Sequence, residues 1–243
     1  MDVNGPALSV IVPIHNEAPI ISDTIGILTG KLDDCGENYE VILVDDGSTD
    51  GTLQIIRRHE SMRVKLLHDQ KNYGKGYAVK RGMIAARGAY RIFIDADLST
   101  SLQAFDEFLG VAREGTCDIL IGSRKRDHAA IKIRQPPVRI FLGKGFMGLS
   151  RIVTGLDFSD FTCGFKLFTQ RAAEIIFPRQ TVRDWAFDTE LLLIAQLHDL
   201  KVGEIPVTWR HRYQSRVRLI KDILSCAWSL FKIRMNLVRG VYR

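Results

Sequence analysis

Apolar, strand-like runs alternate with segments of helical period through the first half of the chain. Each run is apolar on consecutive residues, which is typical of strands that are buried on both faces of a parallel sheet. The alternation predicts an α/β fold with a mostly parallel sheet sandwiched by helices. The runs are "LSVIVPI", "YEVILVDDG", "VKLLHD", "YRIFIDAD" and "CDILIGSR", and the intervening helices are predicted over residues 17–32, 51–60, 75–86 and 102–114.

The alternation is weaker after residue 126. We expect one more strand in "GEIPVTW" and helices within residues 140–153, 170–176, 188–200 and 219–241. No repeat, low-complexity tract or long linker divides the 243 residues, and a single domain of this length can bury a large core. We therefore expect one domain over residues 1–216, followed by a basic amphipathic helical segment over residues 217–243.

The formal charge of +6 favours an anionic partner. A phosphorylated substrate, a nucleic acid and an anionic membrane would all meet that condition. The four cysteines are widely spaced and contain no C-x-x-C pair, which is more typical of isolated thiols than of a zinc site.

Polar residues follow the predicted strands at four of their carboxyl ends, in "PIHNE", "VDDGSTDG", "IDADLST" and "GSRKR". Ligands of open α/β sheets bind beyond these ends. A single polar strand end has an alternative explanation, and for Asp50 and Ser99 helix capping is as good an explanation as ligand contact. Four such ends on one rim predict a ligand site.

Asp95 and Asp97 stand close together at the end of the fourth predicted strand. Two carboxylates this close repel each other unless a cation neutralises them. Mg²⁺ or Mn²⁺ suits such a site, because both prefer oxygen ligands and share them with substrate phosphates. A dinucleotide cofactor is not expected, since "PIHNE" replaces G-x-G-x-x-G after the first strand, and no Walker sequence is present. The stretch "NYGKGYAVKRG" lets backbone and Lys75 approach phosphates, although it is equally typical of a glycine-rich loop before a helix.

The order of these motifs resembles that of family 2 glycosyltransferases with the GT-A fold. The matching segments are "VIVPIHNE", "VILVDDGSTDGT", "KNYGKGYAVKRGM", "IDADLS" and "GSR". The later segments "DFTCGFKLFTQRAAEIIF" and "WAFDTELLLIAQ" are similar to those of polyprenyl-phosphate hexosyltransferases, the dolichyl-phosphate mannose and glucose synthases. The resemblance covers residues 8–216, and it implies that they form a GT-A catalytic domain.

The resemblance implies a site for a nucleotide-diphosphate sugar. Asp95 and Asp97 would bind its diphosphate through the divalent metal, with Asp97 the better candidate for a direct ligand. "DADLS" looks more like the mannose synthases, whereas "CGFKLFT" and "WAFDTELL" look more like the glucose synthases, and we prefer GDP-mannose slightly over UDP-glucose. The residues assigned to the donor are Pro13, Glu17, Asp45, Asp46, Lys75, Asp95, Ala96 and Asp97.

The acceptor implied by the resemblance is a dolichyl or other polyprenyl phosphate. A phosphomonoester is largely ionised at neutral pH, so it can attack the anomeric carbon without a strong base, in a single inverting displacement. Asp160 matches a family position near the reaction centre, as a catalytic or orienting carboxylate, and the resemblance assigns Asp97 and Arg124 to catalysis as well. The candidate phosphate-binding residues are Arg124, Arg139, Lys166, Arg212 and Arg216, for which a solvated surface charge is the alternative explanation.

The segment 184–190, "DWAFDTE", has two interpretations. Asp188 and Glu190 are candidates for shaping the sugar site. Alternatively, Trp185 and Phe187 are core residues at the start of a helix, with Asp184 as its N-cap.

The sequence has neither a signal-peptide pattern nor an apolar run of the roughly 18–20 residues that span a bilayer. The segment 217–243 instead has apolar residues on one face and basic residues on the other. Such a helix can lie in a membrane interface, although packing against its own domain is commoner. With a lipid acceptor, we expect a peripheral protein on the cytoplasmic face of a membrane, with residues 131–148 sharing the contact.

Other functions remain open at this point. One is a family 2 glycosyltransferase with a non-lipid acceptor. Another is a haloacid-dehalogenase-type phosphatase, because "DADLS" approximates its D-x-D motif. In such a phosphatase, however, the motif should end the first strand, whereas here it ends the fourth. A non-catalytic nucleotide-binding protein or a nucleic-acid-binding protein is disfavoured, because no basic run is interleaved with aromatic residues.

Overall fold

In a computed structural model, residues 5–125, 130–133, 137–210 and 219–243 are described. The strands are β1 (Leu8–Ile14), β2 (Tyr39–Asp46), β3 (Val64–Asp69), β4 (Tyr90–Ile94), β5 (Ile119–Ser123), β6 (Ala130–Ile133), β7 (Phe165–Thr169), β8 (Val202–Pro206) and β9 (Thr208–Arg210). The helices are α1 (Ile21–Asp34), α2 (Thr52–His59), α3 (Lys75–Ala85), α4 (Ala104–Arg113), α5 (Pro137–Thr154), α6 (Gln170–Arg179), α7 (Phe187–Leu197) and α8 (Leu219–Val238).

Seven strands form one sheet in the order β3-β2-β1-β4-β7-β5-β8. All neighbours are parallel except β7, which is antiparallel to both β4 and β5. The prediction of a mostly parallel sheet sandwiched by helices is confirmed.

The core consists of two apolar clusters, one on each face of the sheet. Successive residues of a strand point to opposite faces, so Ile11 of β1 belongs to one cluster while Val10 and Val12 belong to the other. Both clusters are closed by helices, which explains why the strand sequences are apolar throughout and do not alternate with polar residues.

The structure differs from the predicted elements at several places. Strand β7 was not predicted, because a five-residue strand with a lysine at its second position has no clear apolar pattern. The predicted strand "GEIPVTW" is divided at Val207 into β8 and β9, and β9 pairs with β6 in a separate two-stranded sheet. Helix α1 begins at Ile21 and not at residue 17, because the residues before it form a turn in which the Glu17 carbonyl accepts the amides of Ile20 and Ile21.

Helix α8 packs on the rest of the described chain through one side. Leu230 and Ile233 are buried in the same apolar cluster as the α7 residues, and so is Tyr242 beyond the end of the helix. Within the described parts of the chain, no helix is both long and apolar enough to cross a membrane. The domain boundary at 216/217 falls in residues 211–218, outside the described residues, and stays a prediction.

Candidate active site

The carboxyl ends of β1, β2 and β3 lie level with one another at one edge of the sheet. In the register Ile14 is paired with Asp45, and Asp45 with His68. Since β4 is parallel to β1, its carboxyl end and the turn that follows it leave the sheet at the same edge. The structure thus brings the polar strand ends predicted from the sequence to one rim.

The two aspartates at the end of β2 are engaged inside the protein. Asp46 accepts hydrogen bonds from the backbone amides of Tyr73 and Gly74, both at 2.8 Å; burial raises the pKa of Asp46 although these two donors oppose the shift. The fully buried carboxylate of Asp45 lies 2.8 Å from Nδ1 of His68. Both aspartates therefore organise the rim, and their direct contact with a nucleotide stays a prediction.

The turn after β4 has an unusual backbone. Leu98 has a φ of 48°, and Asn16, which follows β1, has a φ of 57°. Left-handed conformations cost most residues about 1–2 kcal/mol. Asp97 stabilises the turn, because its Oδ1 accepts the backbone amide of Ser99 at 2.9 Å and its Oδ2 accepts the Ser99 hydroxyl at 2.6 Å. Asparagine adopts this conformation readily, so the strained position of this rim is Leu98. Backbone strain of this kind concentrates at functional sites.

Helix capping explains only one of the two polar residues for which it was the alternative. Asp50 accepts both the backbone amide and the hydroxyl of Thr52, the first residue of α2. Ser99 does not begin a helix: α4 starts five residues later, at Ala104, and the Ser99 hydroxyl bonds to Asp97. The ligand-site interpretation is thus retained for the "DADLS" turn and has no support at Asp50.

Lys75, the first residue of α3, occupies the rim beside Asp95. Its Nζ lies 2.5 Å from Asp95 Oδ1 and 5.0 Å from the centre of the Trp185 ring. Burial alone would lower the pKa of Lys75, but the carboxylates of Asp95 and Asp188 outweigh it, so the net shift is upward and the lysine stays charged. On the other side, any Cβ at Gly164 would lie 1.9 Å from Asp95 Oδ2. Because Gly164 has no side chain, the Asp95 carboxylate can occupy this space.

The donor atoms at this turn fit a hard divalent cation. Asp95 is about one-third exposed, with 36% of its side chain accessible, and the half-buried Asp97 lies two residues away. The ammonium group of Lys75 is the positive charge that lies beside Asp95 in this structure. In the described ranges, no three His, Cys, Asp or Glu side chains form a metal-binding group. The chain would therefore supply two carboxylates, a number that suits Mg²⁺ or Mn²⁺ when phosphates and water complete the shell.

Lys166 lies behind this site and not on its surface. Its side chain is fully buried, and its Nζ donates to Asp188 Oδ1 at 2.5 Å and to the Cys163 carbonyl at 2.7 Å. Charges of alternating sign thus run from Asp95 through Lys75 and Asp188 to Lys166. In this arrangement Lys166 balances charge within the protein, and its predicted contact with an acceptor phosphate has no support in the geometry.

Arg124 and Asp160 form a two-pronged ion pair. Arg124 Nε lies 2.7 Å from Asp160 Oδ2, and its Nη2 lies 2.9 Å from Asp160 Oδ1 and 2.9 Å from Thr162 Oγ1. Burial alone would raise the pKa of Asp160, but Arg124 reverses the shift and brings that pKa down to about 2. The Asp160 carboxylate is fully buried, whereas 20% of the Arg124 side chain is exposed. Asp160 is therefore placed to orient Arg124, which also faces the Trp209 ring at 5.5 Å.

The remaining predicted residues are distributed as follows. Pro13 is half-buried in β1, Glu17 follows that strand, and Ala96 is buried in the "DADLS" turn, where its carbonyl accepts the Thr24 hydroxyl at 2.7 Å. Arg139 is in the first turn of α5, and its side chain is outside the description. Arg212 and Arg216 lie outside the described residues altogether.

Sequence reasoning missed His68 and Trp209, which contact Asp45 and Arg124. His68 had a usable signal, since it stands near the carboxyl end of a predicted strand. Trp209 had none, because its contact depends on how β9 leaves the large sheet to pair with β6 and to bridge Thr100. Glu190 was a weak candidate for the sugar site; it is fully buried and holds the loop before α7 by accepting the amides of Thr181 and Val182.

Solved structures with this arrangement are glycosyltransferases. The mannosyl-3-phosphoglycerate synthase from Rubrobacter xylanophilus has a TM-score of 0.70 at 16% identity, covering 97% of this chain and 74% of that one. The glucosyl-3-phosphoglycerate synthase from Mycobacterium tuberculosis, in complex with Mn²⁺, UDP and glucosyl-3-phosphoglycerate, has a TM-score of 0.67 at 18% identity, covering 95% and 81%. The sheet with its antiparallel β7 therefore has the GT-A fold, as predicted.

The family follows from the sequence. Residues 9–177 match the family described as "Glycosyl transferase family 2", and this chain belongs to that family. The dolichyl-phosphate beta-glucosyltransferase ALG5C of Trichomonas vaginalis is 35% identical over 96% of this chain and 72% of its own length. The dolichyl-phosphate beta-glucosyltransferase of Saccharomyces cerevisiae is 32% identical over 97% and 76%. The protein is thus a glycosyltransferase.

Its D-x-D sequence follows β4, which is inconsistent with a phosphatase that needs the motif after the first strand.

Proposed function

We propose that this chain transfers glucose from UDP-glucose to dolichyl phosphate, with inversion at the anomeric carbon. The observation that carries the proposal is the set of relatives, which are named dolichyl-phosphate beta-glucosyltransferases and are 32–35% identical over at least 96% of this chain. The rim of the sheet offers what such a reaction needs: carboxylates for a metal-bound diphosphate and an oriented arginine for a phosphate.

The proposed donor differs from the GDP-mannose that "DADLS" favoured. Three of the most similar relatives are named for glucose, and the mycobacterial enzyme of similar fold was solved with Mn²⁺ and UDP-glucose. The segments "CGFKLFT" and "WAFDTELL", which resembled the glucose synthases, agree with this choice. GDP-mannose is the competing outcome of the donor experiment below.

Asp95 and Asp97 would hold Mg²⁺ or Mn²⁺ with the diphosphate of the donor. The metal, when bound, stabilises the negative charge that builds on the leaving diphosphate. Lys75 lies beside Asp95 and adds a positive charge at the same place. Asp46 contributes indirectly. It accepts the backbone amides of Tyr73 and Gly74 and so fixes the turn that precedes Lys75.

Arg124 is the proposed ligand of the acceptor phosphate. Asp160 keeps its guanidinium in a fixed orientation, so that less rotational freedom is lost on binding. The acceptor phosphate is already ionised at neutral pH, and it attacks the anomeric carbon without transferring a proton to the protein. Arg139, Arg212 and Arg216 stay predictions for the same phosphate.

Helices α5 and α8, which pack on each other, carry the surface that we propose for the membrane. Exposed apolar side chains occur on both, with Phe141 at 75% and Ile152 at 81% on α5 and Trp228 at 67% and Val238 at 72% on α8. Exposed apolar clusters on this scale mark interaction sites, and the basic residues of both helices suit anionic lipid headgroups. The cytoplasmic face stays a prediction.

The proposed function is tested by offering the purified protein dolichyl phosphate, Mn²⁺ and either labelled UDP-glucose or labelled GDP-mannose. We expect lipid-linked label with UDP-glucose. Label from GDP-mannose alone would restore the mannose alternative, and label from neither donor, with folded protein, would exclude the proposed function.

The metal site is tested with Asp97→Asn. We expect transfer to fall by a factor of about 100 or more, because the charge on the leaving diphosphate is no longer balanced, and direct Mn²⁺ binding in the presence of UDP to weaken in parallel. The matched control is Asp157→Asn, a carboxylate that is 87% exposed in a surface ion pair. Unchanged Mn²⁺ binding by Asp97→Asn would remove Asp97 from the metal site.

A further inference from the structure

The loop of residues 180–186, between α6 and α7, separates the candidate active site from the C-terminal helix α8. We call it loop 180–186. It carries Trp185, whose exposed ring faces the ammonium group of Lys75 at 5.0 Å. Its conformation is set from within by Glu190, which accepts the amides of Thr181 and Val182 at 2.8–3.0 Å while fully buried.

One side of loop 180–186 supports the start of α3. The backbone amide of Tyr77 donates to the Arg183 carbonyl at 3.2 Å, and Gln180 Nε2 donates to the Gly76 carbonyl at 2.8 Å. The contact is close, because a Cβ at Gly74 would lie 2.5 Å from the same Arg183 oxygen. The position of Lys75, between these glycines, therefore depends on where the loop lies.

The other side of loop 180–186 is bonded to α8. Asp184 Oδ2 accepts the hydroxyls of Ser225 at 2.6 Å and Ser229 at 2.7 Å, while its Oδ1 accepts the amide of Ala186 at 3.0 Å. Hydrogen bonds to a carboxylate are stronger than those between neutral groups. Apart from Ala186, these partners come from a helix that follows the family-matched residues 9–177.

We propose that Asp184 is a positioning residue for the donor site. By accepting hydrogen bonds from α8, it holds loop 180–186 against α3, and so holds Lys75 and Trp185 where the diphosphate of the donor binds. The inference rests on the proposed function, since it assumes that the rim binds a nucleotide diphosphate. The inference predicts that nucleotide affinity depends on how α8 packs against loop 180–186, although no residue of α8 is assigned to the nucleotide.

The test uses the full chain with both hydroxyls removed, Ser225→Ala with Ser229→Ala. These changes leave the Asp184–Ala186 turn intact, and alanine favours the helix. We expect the Kd for UDP with Mn²⁺, measured by calorimetry, to rise by a factor of about 3–10, as for the loss of one or two hydrogen bonds. The KM for the donor should rise by a similar factor while kcat stays within about twofold, because the loop positions the donor and does not take part in the displacement.

Two comparisons separate positioning from a general loss of structure. Thr29→Ala removes a helical hydroxyl that donates within α1 and should leave the Kd for UDP unchanged. Ser225→Thr keeps the hydroxyl at an exposed site and should retain wild-type affinity. Asp184→Asn keeps one acceptor oxygen for the Ala186 amide and places an NH2 group, which can donate to the serine hydroxyl oxygens, at the other position. We expect it to weaken UDP binding less than the double variant does.

The outcomes distinguish the two proposals. If the wild-type protein binds no UDP with Mn²⁺, the proposed function fails. If the wild-type protein binds UDP and the folded double variant binds it equally well, the positioning role of Asp184 is wrong and the proposed function stands. A drop in kcat without a change in donor KM would also overturn the positioning role.

Discussion

At the scale of single residues, the candidate site is built from paired charges, of which Asp160, Asp188 and Lys166 are buried and Asp95 is about one-third exposed. Asp95 is paired with Lys75, Asp188 with Lys166, and Asp160 with Arg124. Removing one partner of a buried pair leaves the other charge unbalanced, which is far costlier than removing an exposed pair. The pairs therefore couple the chemistry of the site to the stability of the fold.

The Arg124–Asp160 pair should make stability depend on pH in acid. The folded pKa of Asp160 is about 2 and its ordinary value is 3.8, so the unfolded chain binds the proton first as the pH falls. The pair then contributes about 2–3 kcal/mol, which is fully present above about pH 4 and is lost toward pH 2. We expect Asp160→Asn to lower the free energy of unfolding by about 3 kcal/mol at pH 7, and the difference from wild type to shrink through that window.

Urea unfolding at a series of pH values measures this difference. Asp106→Asn is the control, because Asp106 is 65% exposed in its ion pair with Lys31 and should cost at most about 1 kcal/mol. A difference between wild type and Asp160→Asn that stays constant from pH 7 to pH 2 would contradict the assignment.

The carboxylates of the candidate site stand out in the sequence, but the side chains they pair with do not. Asp95 and Asp97 were recognisable because two carboxylates ended an apolar run. The pairing of Asp95 with Lys75 joins residues twenty positions apart and depends on the placement of α3 over the sheet. Lys166 matched a family motif and was therefore predicted to bind phosphate, although burial and Asp188 give it a different environment.

At the scale of elements, α5 and α8 each have one side in the core and one side exposed. The sequence of α8 predicts an apolar face. Its periodicity does not tell whether that face packs on the domain or binds a membrane, and the structure has apolar residues available for both. Leu230 and Ile233 are buried, while Trp228 and Phe231 are 67% and 54% exposed. One helix thus has a side that packs on the domain and a different side that remains exposed.

The exposed side of α8 gives a prediction for membrane binding. We expect Trp228→Ser with Phe231→Ser to reduce binding to vesicles of phosphatidylcholine and phosphatidylserine by at least about tenfold, because two aromatic side chains no longer leave water. Sedimentation with the vesicles measures the bound fraction. Met62→Ser, at a residue that is 96% exposed in the turn before β3, should bind as wild type does. Equal binding by the double variant would refute this surface.

At the scale of the whole molecule, the end of the chain is tied to its middle. The Tyr242 hydroxyl donates to Glu190 Oε1 at 2.7 Å, and the Tyr242 carbonyl lies 2.7 Å from His198 Nε2. The α/β alternation predicted the sheet and its covering helices, since each strand is apolar throughout. It could not predict these closing contacts, because they depend on one tyrosine reaching back more than forty residues.

Tyr242→Phe should therefore destabilise the whole protein. Glu190 loses one donor but keeps the amides of Thr181 and Val182, so we expect the free energy of unfolding to fall by about 1–2 kcal/mol. Tyr90→Phe, in half-buried surroundings on β4, is the matched control and should change it by less than about 0.5 kcal/mol. Thermal and urea unfolding measure both, and equal stability of the two variants would argue against a closing role for Tyr242.

The antiparallel strand β7 has a consequence for the order of synthesis. It lies between β4 and β5 and pairs with both, although it is made after them. A nascent chain that has not yet exposed Phe165–Thr169 to solvent contains one piece of sheet, β3-β2-β1-β4, and its unpaired edge at β4 can associate with other chains. Strand β5 then has no neighbour in the sheet, because its other partner, β8, follows β7 in the chain. Gly164, which makes room for Asp95, emerges together with β7. The pairing of β7 with β4 and the packing of Asp95 against Gly164 therefore become possible at the same point of synthesis.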